Sequence, residues 1–119
     1  MSVDSSAIQA KHLRDMRGKP IDGLVLKELV NAGLTWLRTN QQTVNSLNVF
    51  PVPDGDTGTN MTLTMQSAWN EIAELGTRHV GEMAAAVAKG ALMGARGNSG
   101  VILSQLWRGF SRGLHGAEV

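Results

Sequence analysis

Apolar side chains recur every three or four positions along most of this 119-residue chain, and that spacing places them on one face of an α-helix. The first such stretch covers residues 22–46, with Asp22 in the N-cap position. A second begins near Thr59 and is predicted to end at Gly76, a third covers about 80–93, and a fourth completes the pattern. The pattern predicts an all-α fold with four helices and two irregular loops.

The third predicted helix consists mostly of glycine, alanine and other apolar residues, so it has almost no polar face. Small side chains let helix axes approach closely, and a helix that is apolar all round needs partners on several sides. We therefore expect this helix to be buried among its neighbours. Large residues on the other apolar stripes are predicted to lie in the core: Trp36, Trp69, Trp107, Met61 and Met65.

The charge and cysteine content exclude several classes of protein. Eleven basic and ten acidic residues give a net charge of +1, which lacks the basic excess of a nucleic-acid-binding protein. Without cysteine there is no disulfide, thiolate zinc site or cysteine nucleophile. No apolar run approaches the roughly 20 residues that span a bilayer. We expect a cytoplasmic protein without a membrane span, in which residues 1–20 form a mobile, mildly basic lead-in.

Two segments break the helical period, and each lies just before a predicted helix. The first, residues 48–58, reads NVFPVPDGDTG, and its two prolines exclude a helix. The second, residues 94–100, reads GARGNSG. Free backbone N–H groups and the helix dipole make helix N-termini favourable places for anions. Both segments are therefore candidate phosphate-binding loops.

The first loop also carries two carboxylates, Asp54 and Asp56, with one glycine between them. At that spacing in a turn, both can converge on a hard cation such as Mg²⁺, which completes its shell with water and substrate phosphate. The second loop adds backbone N–H groups and the cation of Arg96. Each loop alone can also be interpreted as a capped turn or an ordinary helix start. Their combination in one short chain favours a metal–phosphate site.

Three known loop motifs fail on this sequence. An EF-hand that starts at Asp54 would need a calcium ligand, Gly and Glu where Gly58, Thr59 and Met65 stand. A P-loop needs Gly-Lys-Ser/Thr, and the chain has no such tripeptide. The aspartate nucleophile motif of haloacid-dehalogenase-like phosphatases would need threonine at position 58. These three classes are therefore excluded.

Residues 47–61 (LNVFPVPDGDTGTNM) and 94–105 (GARGNSGVILSQ) together resemble the DhaL-type kinase domain, the ATP-binding domain of dihydroxyacetone kinases. The sequences of both motifs are most similar to the bacterial fatty acid kinase branch, whose members pair with DegV-like fatty-acid-binding proteins. The resemblance runs from about Gly23 to Phe110. It implies a barrel of about eight antiparallel helices, with ATP and two Mg²⁺ ions at its mouth. Residues 21–119 are then the incomplete N-terminal part of such a domain, with about its first four helices.

The resemblance also assigns roles to residues of both loops. It implies that Asp54 and Asp56 hold the metal ions. Arg96 is a candidate on its own chemistry: a cation in a phosphate loop would neutralise charge on the transferred group, and the alternative is a solvated loop arginine. Dihydroxyacetone kinases have a third metal-binding aspartate upstream, where the nearest oxygen ligand in this chain is Asn48. The nucleotide phosphates would be contacted by two runs of residues: Thr57, Gly58, Thr59 and Asn60 in the first motif, and Gly97, Asn98, Ser99 and Gly100 in the second.

The implied activity is transfer of the ATP γ-phosphate to a fatty acid carboxylate presented by a DegV-like partner. A glycerone kinase activity is the first alternative, but the missing third aspartate argues against it. A non-catalytic module that binds nucleotide or a partner is the second. We expect half a barrel to expose apolar surface, so the chain alone should self-associate, bind Mg-ATP poorly and be inactive. The full protein is expected to form a homodimer.

Overall fold

The computed structural model describes residues 21–47 and 55–118, and all regular structure in these two ranges is α-helical. It forms four helices: α1 Gly23–Ser46, α2 Thr57–Ile72, α3 Val80–Met93 and α4 Gly97–Gly113. The predicted all-α fold is confirmed, as are the bounds of the first and third helices. Expectations for residues 1–20, Asn48 and Asp54 fall outside the described residues.

Helices α2 and α3 occupy the centre of the fold. Helix α1 packs against both of them on one side, and α4 packs against both on the other, while α1 and α4 do not touch each other. The core is made by one apolar stripe from each of the first three helices: Leu26, Val30, Leu34, Met65, Ala68, Ile72, Val80, Met83, Ala84, Val87 and Ala91. Helix α4 adds only Gly100 and Ser104 as fully buried residues. Both outer helices therefore keep one face on the surface.

The exposed faces of the helices overturn two expectations about the core. Trp36 is 52% exposed, because it lies on the outer face of α1, which has neighbours on one side only. Trp69 and Trp107 are half-buried and pack against the core, as predicted. Helix α3 contacts all three other helices, but it is not buried all round: Leu92 and Met93 are exposed.

The predicted end of α2 at Gly76 is also wrong. The helix ends at Ile72, and the half-buried Lys27 of α1 donates hydrogen bonds from Nζ to the carbonyls of Ala73 (2.8 Å) and Leu75 (3.1 Å). The same ammonium lies 5.7 Å from the centre of the Trp69 ring. A cation at a helix C-terminus satisfies free carbonyls and the helix dipole. A side chain from another helix therefore binds the free carbonyls at the end of α2 and stabilises this end.

Candidate functional site

The helix starts that carry the two sequence motifs meet in the structure. Gly97, the first residue of α4, has φ +63°, and a Cβ built on it would collide with the side chain of Asn60 in the first turn of α2. Only glycine suits both this backbone conformation and this close contact. The structure therefore brings one residue of each sequence motif together.

A buried hydroxyl joins the two motifs below that contact. Thr64 of α2 is fully buried; its Oγ1 donates to the carbonyl of Asn60 (2.8 Å) and accepts from the backbone N–H of Arg96 (3.1 Å). The backbone of Gly100 also packs against this hydroxyl. The segment between α3 and α4 is thus held on the first two turns of α2, so the relative position of the two helix starts is determined by side chains of α2.

The first turn of α2 also packs closely against the end of α1. A Cβ at Gly58 would collide with the carbonyl of Gln41. Asn45 accepts from the backbone N–H of Thr59 through Oδ1 (3.0 Å) and donates from Nδ2 to the Thr59 hydroxyl (3.0 Å). Gln41 donates from Nε2 to the same hydroxyl (3.1 Å). Gln41 and Asn45 were not predicted as site residues; the signal for them in the sequence is two amides one helical turn apart, just before the motif.

The carboxylate of Asp56 stands at the N-cap position of α2 but makes no capping hydrogen bond there, and the residue is exposed. Gly55, just before it, has φ +68°. Within residues 21–47 and 55–118 no three acidic or histidine side chains are grouped so that they can hold a metal ion. The predicted metal site therefore depends on Asp54 and Asn48, outside the described ranges, and remains a prediction.

The N-terminus of α4 differs from those of α1 and α3. Asp22 caps α1 by accepting from the N–H of Val25 (2.9 Å), and the first amides of α3 donate to the carbonyls of Ala117 and Glu118 (both 3.0 Å). At α4, no described residue accepts the first three amides, those of Gly97, Asn98 and Ser99. Amides without an acceptor at a helix N-terminus can bind an anion, and the contact between Gly97 and Asn60 places these amides beside the start of α2.

The remaining predicted residues surround this point. Thr57, Thr59, Asn60 and Ser99 are half-buried, whereas Asn98 is exposed. Arg96, in the N-cap position of α4, is exposed and forms no ion pair with a described residue. Gly97–Gly100 form the first turn of α4 and not a loop, so the fourth helix begins earlier than predicted. In the described part of the chain, no helix has the length and apolar character needed to cross a membrane.

Comparison with known proteins supports the resemblance seen in the two motifs. Residues 51–119 match the family model of the DAK2 domain. The chain is 53% identical over 96 residues to protein YloV of Bacillus subtilis, an alignment that covers 81% of this chain and 17% of YloV.

Two staphylococcal proteins described as uncharacterized are similar to the same degree. Identity is 52% over 98 residues with the protein of Staphylococcus saprophyticus and 50% over 98 residues with that of Staphylococcus epidermidis. Each alignment covers 82% of this chain and 18% of the relative. The chain thus spans less than a fifth of the length of these relatives. The match over most of the first motif, all of the second and all of α2–α4 shows that this chain belongs to the DAK2-domain family, a kinase family whose members generally bind ATP.

Proposed function

We propose that this chain is the Mg-ATP-binding part of a kinase domain that transfers the γ-phosphate of ATP to an acceptor. The observation that carries the proposal is the contact between Asn60 and Gly97, because it brings the two motif-bearing helix starts to one place. The uncapped amides of α4 at that place favour an anionic ligand.

Phosphoryl transfer depends mainly on positioning of the phosphates and on neutralisation of their charge. The residues present fit this requirement, since the Asp56 carboxylate makes no capping bond and is a hard oxygen ligand suited to Mg²⁺. In the proposal Asp54 and Asp56 hold two Mg²⁺ ions, with Asn48 as a further oxygen ligand. Bound Mg²⁺ would neutralise phosphate charge and align the phosphates for transfer. Arg96 supplies an additional positive charge at the start of α4.

The proposed acceptor is a fatty acid carboxylate, presented by a DegV-like binding protein in the cytoplasm. The sequence favours it over glycerone because Asn48 occupies the region where dihydroxyacetone kinases carry a third aspartate. A carboxylate acceptor presented by a second protein would explain why no acceptor-binding residues are evident in the two motifs.

Substitution of the two carboxylates in the full-length protein tests the proposal. We expect Asp54→Ala and Asp56→Ala each to abolish ATP-dependent phosphorylation of a fatty acid supplied with a DegV-like protein. Glu74→Ala is the matched control, because Glu74 is an exposed acidic residue just beyond the C-terminal end of α2, the end opposite the motif. Retained turnover in both aspartate variants would refute the metal assignment. Mg-ATP binding without any phosphoryl transfer by the wild type would instead favour a non-catalytic nucleotide-binding module.

A further inference from the structure

The hydroxyl of Thr59 is bonded differently from those of its neighbours on α2. The hydroxyls of Thr62 and Thr64 donate to the carbonyl four residues earlier, at 2.7 and 2.8 Å. The Thr59 hydroxyl instead accepts two hydrogen bonds, from Asn45 and Gln41 on α1. No described residue accepts a hydrogen bond from it.

The orientation of the Asn45 amide follows from simple chemistry. A backbone N–H can only donate, so the atom of Asn45 that faces the N–H of Thr59 is the oxygen. The NH₂ group of Asn45 must then face the Thr59 hydroxyl. A hydroxyl has two acceptor positions and one proton to donate. With both acceptor positions filled by amide N–H groups, only its proton remains for a ligand.

We propose that Gln41 and Asn45 are positioning residues that make the Thr59 hydroxyl a hydrogen-bond donor toward a phosphate oxygen of the bound nucleotide. The inference rests on the proposed function and adds to it a reason for ligand selectivity. A hydroxyl held in this state pairs with a group that only accepts hydrogen bonds, as ionised phosphate oxygens do. Thr59 is half-buried in the first turn of α2 and directly precedes Asn60, the residue whose side chain contacts Gly97 of α4.

Asn45→Asp reverses the polarity of this contact while preserving its shape. One carboxylate oxygen still accepts from the N–H of Thr59, so the first turn of α2 keeps its bond. The other oxygen replaces the NH₂ group and takes the Thr59 proton, which turns the hydroxyl away from the ligand. We expect Mg-ATP binding, measured by calorimetric titration of the longest natural form, to weaken about 10-fold or more. The thermal midpoint of unfolding should change little.

The new negative charge would also repel phosphate, so the same change is made in a Thr59→Val background, which has no hydroxyl. If Asn45→Asp acts through the hydroxyl, it weakens Mg-ATP binding by less than about threefold there, and the two substitutions are non-additive. Equal factors in both backgrounds would overturn the inference and leave the proposed function intact. A wild type that binds no Mg-ATP would overturn both.

Gln41→Glu provides a second variant that does not touch the backbone bond of Thr59. Its carboxylate would accept the Thr59 proton from the other side, so it should weaken Mg-ATP binding in the wild type and much less in Thr59→Val. Unchanged Mg-ATP affinity in Gln41→Glu would contradict the assigned polarity of the hydroxyl.

Discussion

Replacement of Lys27 by methionine should destabilise the protein by removing the cap of α2. The change deletes two charged hydrogen bonds, to the carbonyls of Ala73 and Leu75, and the contact with Trp69, but it keeps the aliphatic stem. A hydrogen bond from a charged donor contributes about 1.5–3 kcal/mol when its partner is buried. Both carbonyl-bearing residues are half-buried, so water recovers part of this energy. We expect a loss of about 2 kcal/mol in the free energy of unfolding, and a fall of roughly 8 °C in thermal midpoint.

Urea unfolding followed by tryptophan fluorescence measures this loss, with all variants at one protein concentration. Lys89→Met is the matched control, because the Lys89 side chain is 67% exposed and forms only a surface ion pair with Glu71 at 3.4 Å. The control should change the free energy of unfolding by less than about 0.5 kcal/mol. Equal losses in the two variants would show that the hydrogen bonds of Lys27 do not hold the end of α2.

Two other predictions concern α4. Gly97→Ala should destabilise the fold by at least about 1 kcal/mol, because Gly97 has a positive φ and lies against the side chain of Asn60. Gly109 has open space around it, so Gly109→Ala should be neutral or stabilise the fold by up to about 1 kcal/mol. Urea unfolding measures both changes in the free energy of unfolding. The 119-residue chain should self-associate through the exposed apolar face of α4 and bind Mg-ATP poorly, and the double variant Ile102→Lys, Leu106→Lys should lower its mass in sedimentation. A monomeric wild-type chain with micromolar Mg-ATP affinity would refute the expectation of an incomplete barrel.

The spacing of apolar residues was sufficient to predict the four helices, but not to predict which apolar faces are buried by neighbouring helices. The period that predicted Met65 as a core residue also predicted Trp36 as one, and only the positions of the neighbouring helices distinguish the two. The end of α2 escaped prediction for a similar reason. Gly76 was the local signal for a helix end, while the side chain that caps the helix belongs to Lys27, far away in sequence.

The candidate site was predictable where the chemistry is local. The motif residues Asn60 and Gly97 were identified from sequence, and the structure places them in contact. The glycines of the second motif were predicted to form a loop. In the structure Gly97 and Gly100 lie in the first turn of α4, where their lack of a side chain lets this turn pack closely against α2. Gln41 was missed because an amide near the end of a helix gives no sign of its partner until the helices are packed.

The N-terminus of α3 is capped by backbone carbonyls of residues 117 and 118, and this affects which substitutions the fold tolerates. Val80 and Gly81 donate to the main-chain oxygens of Glu118 and Ala117, and every amino acid provides such an oxygen. The hydrogen bonds at the start of α3 therefore do not depend on the side chains at 117 and 118. The start of α1, in contrast, needs the carboxylate of Asp22. Gly81 is the exception, because any side chain there would strike the carbonyl of Leu114. The hydrogen bonds of this junction thus place no restriction on the side chains at 117 and 118, whereas the close contact at position 81 requires glycine.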